Sequence, residues 1–176
     1  MRTIPTDAAL LDELLESGAP EAVSLESEVT AMFDAYRNPL LRFALSLGLA
    51  AADGEEVIQE VFLALFQHLR AGKPRDNLRG WLFQVCHNRA LKLRQRKPAP
   101  MLTPEASPTP EEQAIARQTK ERVAAAIRTL PEQERVCLAL RAEGLRYREI
   151  AGVLGISLGG VAMAMERAVG RLREMA

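Results

Sequence analysis

Five prolines close together constrain this chain more than any other feature. They lie in the segment KPAPMLTPEASPTP, residues 97–110. Proline has no backbone N–H and disfavours helix at the residue before it, so the segment predicts an extended linker. The chain is therefore expected to fold as two parts, one on each side of it.

Both parts have the apolar spacing of helices. Apolar residues recur at intervals of three and four, and strand-like alternation is scarce. We therefore predict an all-α fold of two small helical domains joined by the Pro-rich linker. The expected divisions are an N-terminal extension at 1–27, a first domain at 28–97, the linker at 98–109 and a second domain at 110–176. No apolar run reaches the roughly 18 residues of a membrane span, so no membrane insertion is expected.

Capping signals predict where the helices begin. Asp53 is expected to cap one helix, with Glu56 completing a capping box, and Thr109 with Pro110 and Glu112 is expected to begin another. The first 20 residues could form a short helix or remain mobile. The other predicted helices are about 28–47, 79 to before Pro98, a helix ending near Thr129, one from the LPEQ sequence to Glu143-Gly144, 147–154 and 158–175.

The end of the chain has the pattern of a helix-turn-helix. In EIAGVLGIS, Gly155 permits the left-handed backbone of a tight turn, and Ser157 is the expected N-cap of the following helix. This architecture presents its second helix to the major groove of DNA.

The front of that second helix is poor in groups that read bases. The residues expected outside are Gly159, Gly160, Met163, Ala164 and Arg167, and base discrimination usually needs Arg, Lys, Asn, Gln, Ser or Thr there. Two alternatives therefore stay open. The surface contacts DNA mainly through phosphates, or it packs on a protein or on the rest of the chain.

Charge is distributed unevenly although the net charge is zero. Residues 70–97 carry nine bases against one acid, and residues 113–176 carry eleven against seven. Local charge decides whether a surface attracts phosphate, so two contact zones for a polyanion are expected. The basic helix also holds Trp81 and Asn88, which could stack on or bond unpaired bases, although a solvated helix end beside a core Trp remains the alternative. The six acids of residues 1–27 could cover this zone or simply be solvated.

Catalytic and metal signals are missing from the sequence. No nucleophile–base pair, paired carboxylates or phosphate loop is evident, and His68 and His87 have no partner at ligand spacing. The chain is therefore predicted to be no enzyme and to bind no cofactor or metal. Cys86 and Cys137 read as ordinary core thiols of a protein in the reducing cytoplasm.

From about residue 28 to residue 173 the chain resembles the extracytoplasmic-function sigma factors, the small bacterial initiation subunits of RNA polymerase. AYRNPLLRFALSLGL is similar to the family's first conserved helix, and EEVIQEVFLALF to its most diagnostic segment. LRGWLFQVCHNRALKLRQRK is similar to the helix that opens DNA, and LPEQERVCLALRAEGLRYREIAGVLGIS to the last domain. The resemblance implies a sigma-two-like domain at 28–97 and a sigma-four-like domain at 110–176.

The resemblance also implies roles for residues. Four residues would bind the largest subunit of core RNA polymerase: Glu56, Gln59, Glu60 and Leu63. A second set would capture and melt the minus-ten promoter element: Lys73, Arg75, Asn77, Arg79, Trp81, Asn88, Lys92 and Arg96. A third set would contact the minus-thirty-five element: Arg146, Tyr147, Ser157, Arg167 and Arg171.

The chain departs from the family at the reading helix. The family usually has Gly-Thr-Val-Lys-Ser-Arg where this chain has residues 159–164, GGVAMA, so the Thr, the Lys and the first Arg are absent. The expected function is promoter-specific initiation with core polymerase, with specificity coming mainly from the first domain. The alternative is a sigma-like regulator whose helix-turn-helix binds a protein partner instead of the minus-thirty-five element. The expected partners are core polymerase, promoter DNA and an anti-sigma factor or another regulatory protein.

Overall fold

The computed structural model describes residues 7–96 and 122–175, with side chains from residue 24 onward. These residues form helices and turns without a strand, so the all-α prediction is confirmed. The Pro-rich segment and the predicted start at Thr109 lie outside the described residues. The helices are α1 Asp7–Ser46, α2 Ala51–Arg70, α3 Leu78–Arg96, α4 at 122–129, α5 Glu132–Ala142, α6 Tyr147–Leu154 and α7 Leu158–Met175.

The N-terminal half is a three-helix cluster of α1, α2 and α3. Phe43 of α1 meets Phe83 of α3 edge to face, with ring centroids 5.5 Å apart. Gly54 lets α2 approach α1 closely, because a Cβ there would lie 3.0 Å from Leu41 Cδ1. The buried apolar residues of this half fix the position of α3 and include Leu40, Phe43, Leu47, Val57, Ile58, Val61, Leu65, Leu82, Phe83, Cys86 and Ala90.

Two helix starts differ from the sequence prediction. α1 runs unbroken from Asp7 to Ser46, so the predicted start near residue 28 was wrong, and residues 7–20 belong to this long helix and not to a separate short one. The capping role of Asp53 was wrong, because Ala50 is the N-cap of α2 and Asp53 lies inside its first turn. The N–H of Gly54 donates to the carbonyl of Ala50 at 2.8 Å. The preceding alanines are strong helix formers, so the helix starts before the polar signal.

The C-terminal half contains the predicted helix-turn-helix, with α6 and α7 meeting at an angle of 105°. Gly155 has φ +65°, and the N–H of Gly160 donates to Ser157 Oγ at 3.0 Å, so both turn predictions are confirmed. The prediction that Ala164 lies on the exposed front was wrong, because Ala164 is fully buried. Three and four residues separate it from Val161 and Ala168, so it shares their inward face.

The two halves contact each other directly. Side-chain contacts join α1 to the α5–α6 turn, and α3 to α5 and α6. Buried residues of both halves belong to one apolar cluster. Within the described residues no single helix is long and apolar enough to cross a membrane, although the bent α6–α7 pair meets that length and composition when taken together.

Candidate nucleic-acid and protein interface

The four residues predicted to bind polymerase lie on one outward face of α2, here named the α2 ridge: Glu56, Gln59, Glu60 and Leu63. Spacings of three and four place them on adjacent turns of the helix. Leu63 is 59% exposed, which is unusual for a leucine beside such a core, and Glu56 and Gln59 are also exposed. Glu60 is half-buried and forms an ion pair with Arg89 of α3 at 2.9 Å. The ridge is a mixed apolar and acidic surface of the kind that fits another protein.

An aromatic edge, which the sequence reading missed, borders this part of the molecule. Phe33 of α1 is 37% exposed and meets Phe62 with ring centroids 4.9 Å apart. The Arg37 guanidinium lies 6.0 Å from the Phe33 ring centroid and pairs with Glu55 at 2.7 Å. The apolar spacing of α1 is typical of a core residue at Phe33, so the sequence gives no sign of this exposure.

The α2–α3 loop holds the first residues of the predicted minus-ten set. Lys73 is exposed, and Arg75 pairs with Glu28 of α1 at 3.0 Å. This hydrogen bond raises the pKa of Arg75, which keeps its guanidinium charged. Asn77 has φ +54°, and its Oδ1 accepts the Gly80 N–H at 3.2 Å, which closes the start of α3. The loop is therefore shaped by local bonds.

The outward face of α3 presents the later members of that set. Asn88, Lys92 and Arg96 are exposed, and they follow one another at intervals of four. Trp81 is half-buried and its ring lies against His68, with centroids 4.6 Å apart. The cationic side chains can reach phosphates, and Asn88 can reach a base edge.

Arg79 is separated from that face. Its Nη2 donates to the carbonyl oxygen of Glu143 in the C-terminal half at 2.6 Å, and its buried Nε has no hydrogen-bond partner. The structure therefore does not bring Arg79 together with Asn88, Lys92 and Arg96. Its neighbours in a cleft of about 430 Å³ between the halves are Asn77, Arg146, Arg148 and Glu149.

Some residues of the predicted minus-thirty-five set are exposed, whereas the side chains of others form bonds within the protein. Arg146 is exposed at the start of α6, and its backbone N–H donates to Glu149 Oε2 at 2.7 Å. Tyr147 is 38% exposed. Ser157 is exposed, but its hydroxyl caps α7. The start of α6 thus offers a cation and a phenol to a phosphate backbone, in the manner of the first helix of this motif.

The two arginines expected at the reading helix are tied to a buried acid that the sequence reading missed. Arg167 Nε donates to Glu134 Oε1 at 3.1 Å, and Arg171 Nε lies 3.2 Å from Glu134 Oε2 as an ion pair without hydrogen-bond geometry. The Glu134 side chain is 5% exposed. These arginines therefore have a structural role. No local signal reveals it, because Glu134 lies 33 residues before Arg167.

The rest of the α7 front is apolar or small. Leu158 and Met163 are 52% and 58% exposed, and Gly159 and Ala162 are exposed beside them. Such a surface provides few groups that discriminate bases.

Thiols and histidines do not form a reactive group in this surface. Burial raises the pKa of the Cys86 thiol to about 12, and it also raises the pKa of Cys137. Within the described ranges, no three His, Cys, Asp or Glu residues lie close enough to hold a metal ion.

Two parts of the sequence match known family models. Residues 32–98 match the model described as Sigma-70 region 2, and residues 120–172 match the model described as Sigma-70, region 4. The first match covers the α2 ridge and α3. The second covers the helix-turn-helix.

Curated relatives match most of the chain. The RNA polymerase sigma factor CnrH of Cupriavidus metallidurans is 30% identical over 150 residues, which cover 76% of this chain and 76% of that protein. The ECF RNA polymerase sigma factor RpoE of Cereibacter sphaeroides is 27% identical over 156 residues, covering 85% and 86% of the two chains.

Solved structures share the fold. CnrH in complex with the cytosolic domain of CnrY superposes with a TM-score of 0.64 at 24% identity, covering 94% of each chain. RpoE in complex with the anti-sigma factor NepR from Bartonella quintana gives a TM-score of 0.59 at 21% identity. That match covers 82% of this chain and 96% of the other.

Proposed function

This chain belongs to the extracytoplasmic-function sigma factors of the sigma-70 family, and we propose how its residues divide the work of such a factor. It is thus a transcription initiation factor that binds core RNA polymerase and promoter DNA. The α2 ridge docks on core polymerase, and the exposed face of α3 captures the opened minus-ten strand. The C-terminal helix-turn-helix contacts upstream DNA mostly through phosphates. The proposed divisions are an extension at 1–27, the sigma-two-like domain at 28–97, the linker at 98–109 and the sigma-four-like domain at 110–176.

One observation supports this division above the others. α2 exposes Leu63 together with Glu56 and Gln59, while the neighbouring α3 exposes Asn88 and Lys92. A protein-type surface and a nucleic-acid-type surface thus lie on adjacent helices of the N-terminal half. A flipped base needs a fixed receptor, because its unpairing costs a few kcal/mol that only well-placed contacts offset.

The docking role is tested by two exposed glutamines. Gln59→Ala removes a member of the ridge, whereas Gln95→Ala removes an exposed glutamine near the end of α3. We expect Gln59→Ala to weaken core-polymerase binding about tenfold and Gln95→Ala to leave it unchanged, measured by fluorescence anisotropy. The tenfold figure corresponds to about 1.4 kcal/mol, the range of one interface contact. Equal effects of the two changes would argue against the ridge.

The capture role is tested on α3. Lys92→Gln should weaken binding of the polymerase complex to single-stranded minus-ten DNA and lower the slope of log affinity against log salt by about 0.7. Arg128→Gln, which removes an exposed cation of α4 in the C-terminal half, should alter neither quantity. An unchanged salt slope in the Lys92 variant would place the strand elsewhere.

A second candidate concerns the C-terminal half only. The engagement of Arg167 and Arg171 by Glu134, beside exposed Leu158 and Met163, favours a protein partner for this helix-turn-helix. Scrambling the upstream element of a responsive promoter separates the two candidates. Initiation that falls more than about tenfold supports DNA contact, whereas unchanged initiation supports the protein partner.

The relatives also support proposals about the regulation and the cellular location of this protein. CnrH and RpoE have been solved with CnrY and the anti-sigma factor NepR, and we propose that this chain also binds an anti-sigma factor or another regulatory protein. We further propose that it acts in the cytoplasm, where core polymerase is found, and that it has no catalytic activity or cofactor of its own.

A further inference from the structure

We propose that His68 is a positioning residue for the minus-ten strand, which acts through the α2–α3 loop and through Trp81 without touching DNA itself. The inference deepens the proposed function and rests on it, because it assumes that this loop and α3 capture the opened strand. His68 has no place in the predicted minus-ten set. Its backbone, a ring nitrogen and its ring nevertheless contact three different parts of the capture surface.

The α2–α3 loop has no apolar core of its own. All of its residues, 71–77, are exposed, and they include Lys73, Arg75 and Asn77 of the predicted minus-ten set. A loop that is exposed along its whole length takes its shape from the hydrogen bonds that hold it. Such a loop must be held in one shape before the strand arrives, because ordering it during binding lowers the affinity.

The backbone of His68 ends α2 and begins the loop. Its carbonyl oxygen accepts the Lys73 N–H at 3.3 Å, and the Leu69 carbonyl oxygen accepts the Gly72 N–H at 2.9 Å. Gly72 has φ +63°, so these bonds form the paired helix end in which a glycine adopts the left-handed conformation. This end uses main-chain atoms only, and a change of the His68 side chain therefore leaves it in place.

The ring of His68 makes the next bond along the loop. Its Nε2 donates to the Pro74 carbonyl oxygen at 2.8 Å. A peptide group is planar, so fixing that carbonyl also fixes the direction in which the chain enters Arg75. Arg75 then pairs with Glu28 of α1 at 3.0 Å. The His68 side chain thus holds the middle of the loop, between the end of α2 and the contact with α1.

The same ring lies against the aromatic residue of the capture surface. The ring centroids of His68 and Trp81 are 4.6 Å apart, and the ring planes are tilted by 43°. Trp81 is half-buried, and its backbone N–H donates to the Asn77 carbonyl oxygen at 3.0 Å, which ties it to the end of the loop. His68 therefore sets the position of the loop and of the indole together. Because the shape of a receptor decides which unpaired base it holds, we expect His68 to affect base preference.

Three substitutions separate the two contacts of the ring. His68→Gln keeps a side-chain N–H that can reach Pro74 but removes the ring, His68→Phe keeps a ring beside Trp81 but removes the donor, and His68→Ala removes both. Ile58→Val is the matched control for lost stability, because it shortens a buried side chain near the other end of α2. All variants are made in the full chain.

The indole contact is measured by the fluorescence of Trp81, which is the only tryptophan of the chain. We expect acrylamide to quench the His68→Ala and His68→Gln proteins more strongly than the parent, because the ring that lies against the indole is gone. His68→Phe and Ile58→Val should be quenched as the parent is. Equal quenching of the parent and His68→Ala would overturn the proposal, since the His68 ring would then not shape the surroundings of Trp81.

The effect on the strand is measured in the complex with core polymerase. The measured quantity is the affinity for the single-stranded minus-ten DNA of a responsive promoter, divided by the affinity for the same bases in scrambled order. His68→Ala should lower this ratio about two- to tenfold, the range of one hydrogen bond, with His68→Gln and His68→Phe in between. The salt dependence of the affinity should not change, because every Lys and Arg of the surface is retained. Ile58→Val should keep both quantities.

Failure of the positioning role and failure of the proposed function give different results. If the parent complex prefers the minus-ten strand and His68→Ala keeps that preference in full, His68 does not position the capture surface. The same conclusion follows if Ile58→Val lowers the ratio as much as His68→Ala does, because lost stability then explains the effect. If the parent complex shows no preference for the minus-ten strand, the capture role of the loop and α3 is wrong, and the positioning role is wrong with it.

Discussion

At the scale of single residues, Glu134 changes the interpretation of the reading helix. Among the described residues it is the only charged residue that is buried, at 3% exposure. Arg167 and Arg171, whose side chains are 48% and 53% exposed, both lie against it. A buried carboxylate is costly unless it is paired, so these arginines are held in place by the needs of the fold.

This arrangement predicts an asymmetry between two substitutions. Glu134→Gln leaves two guanidiniums that water can solvate, so the free energy of unfolding should fall by only about 1 kcal/mol. Arg167→Met with Arg171→Met leaves a buried carboxylate without a partner and should cost about 3 kcal/mol or more. Urea denaturation of both variants measures the difference. Equal losses would mean that Glu134 is solvated in the native protein.

At the scale of elements, Gly152 and Gly155 in the helix-turn-helix show two different roles of glycine. Gly155 has φ +65° at the end of α6, whereas Gly152 lies within α6, and a Cβ at either position meets no atom within 4 Å. The two sites therefore differ in backbone conformation and not in space. The left-handed backbone conformation of Gly155 sets the direction in which α7 leaves α6.

Alanine at each position should have opposite effects. Gly155→Ala forces an L residue into the left-handed region and should lower the free energy of unfolding by about 1 kcal/mol. Gly152→Ala removes a poor helix former and should raise it by about 0.5–1 kcal/mol. Thermal unfolding followed by circular dichroism resolves shifts of this size. A stabilising Gly155→Ala change would contradict the left-handed turn.

At the scale of the whole molecule, the contact between the halves should depend on pH through His87. Burial lowers the pKa of His87 from its usual 6.5, while Glu132 raises it and Arg94 lowers it. A depressed pKa means that the packed arrangement of the two halves favours the neutral imidazole of His87. Its stabilising contribution is therefore present above about pH 6.5 and is lost as the pH falls through the folded value.

The expected outcome is that the contact between the halves weakens as the pH falls below about 6.5. His87→Asn should remove this step, so the difference between the two titrations isolates His87. Hydrogen bonding from Arg94 lowers the pKa of Glu132, so its own contribution is lost only at more acidic pH, below about 4.5. Urea denaturation at a series of pH values provides the measurement. A titration that is identical in both proteins would assign the pH dependence to other groups.

Much of the fold could be predicted because its signals are local. Apolar spacing predicted the helices, Gly155 predicted the turn, and Ser157 predicted the cap of α7. The errors were also local in origin. Asp53 resembles a cap, but two helix-forming alanines before it extend α2, and Ala164 resembles a surface residue until its register with Val161 is followed. The site residues were recognised by their resemblance to a family, and their individual roles remain predictions.

The sequence by itself determined the helical class, the two-part organisation and the family, because composition, periodicity and motif order are properties of neighbouring residues. Only the tertiary structure decided which charged groups are engaged. Arg42 meets Glu143 across 101 residues, and Arg79 meets the same turn across 64. Such pairs depend on how packed helices orient their side chains, and no local interval encodes that orientation. Which charged groups join the two halves is therefore decided by tertiary packing.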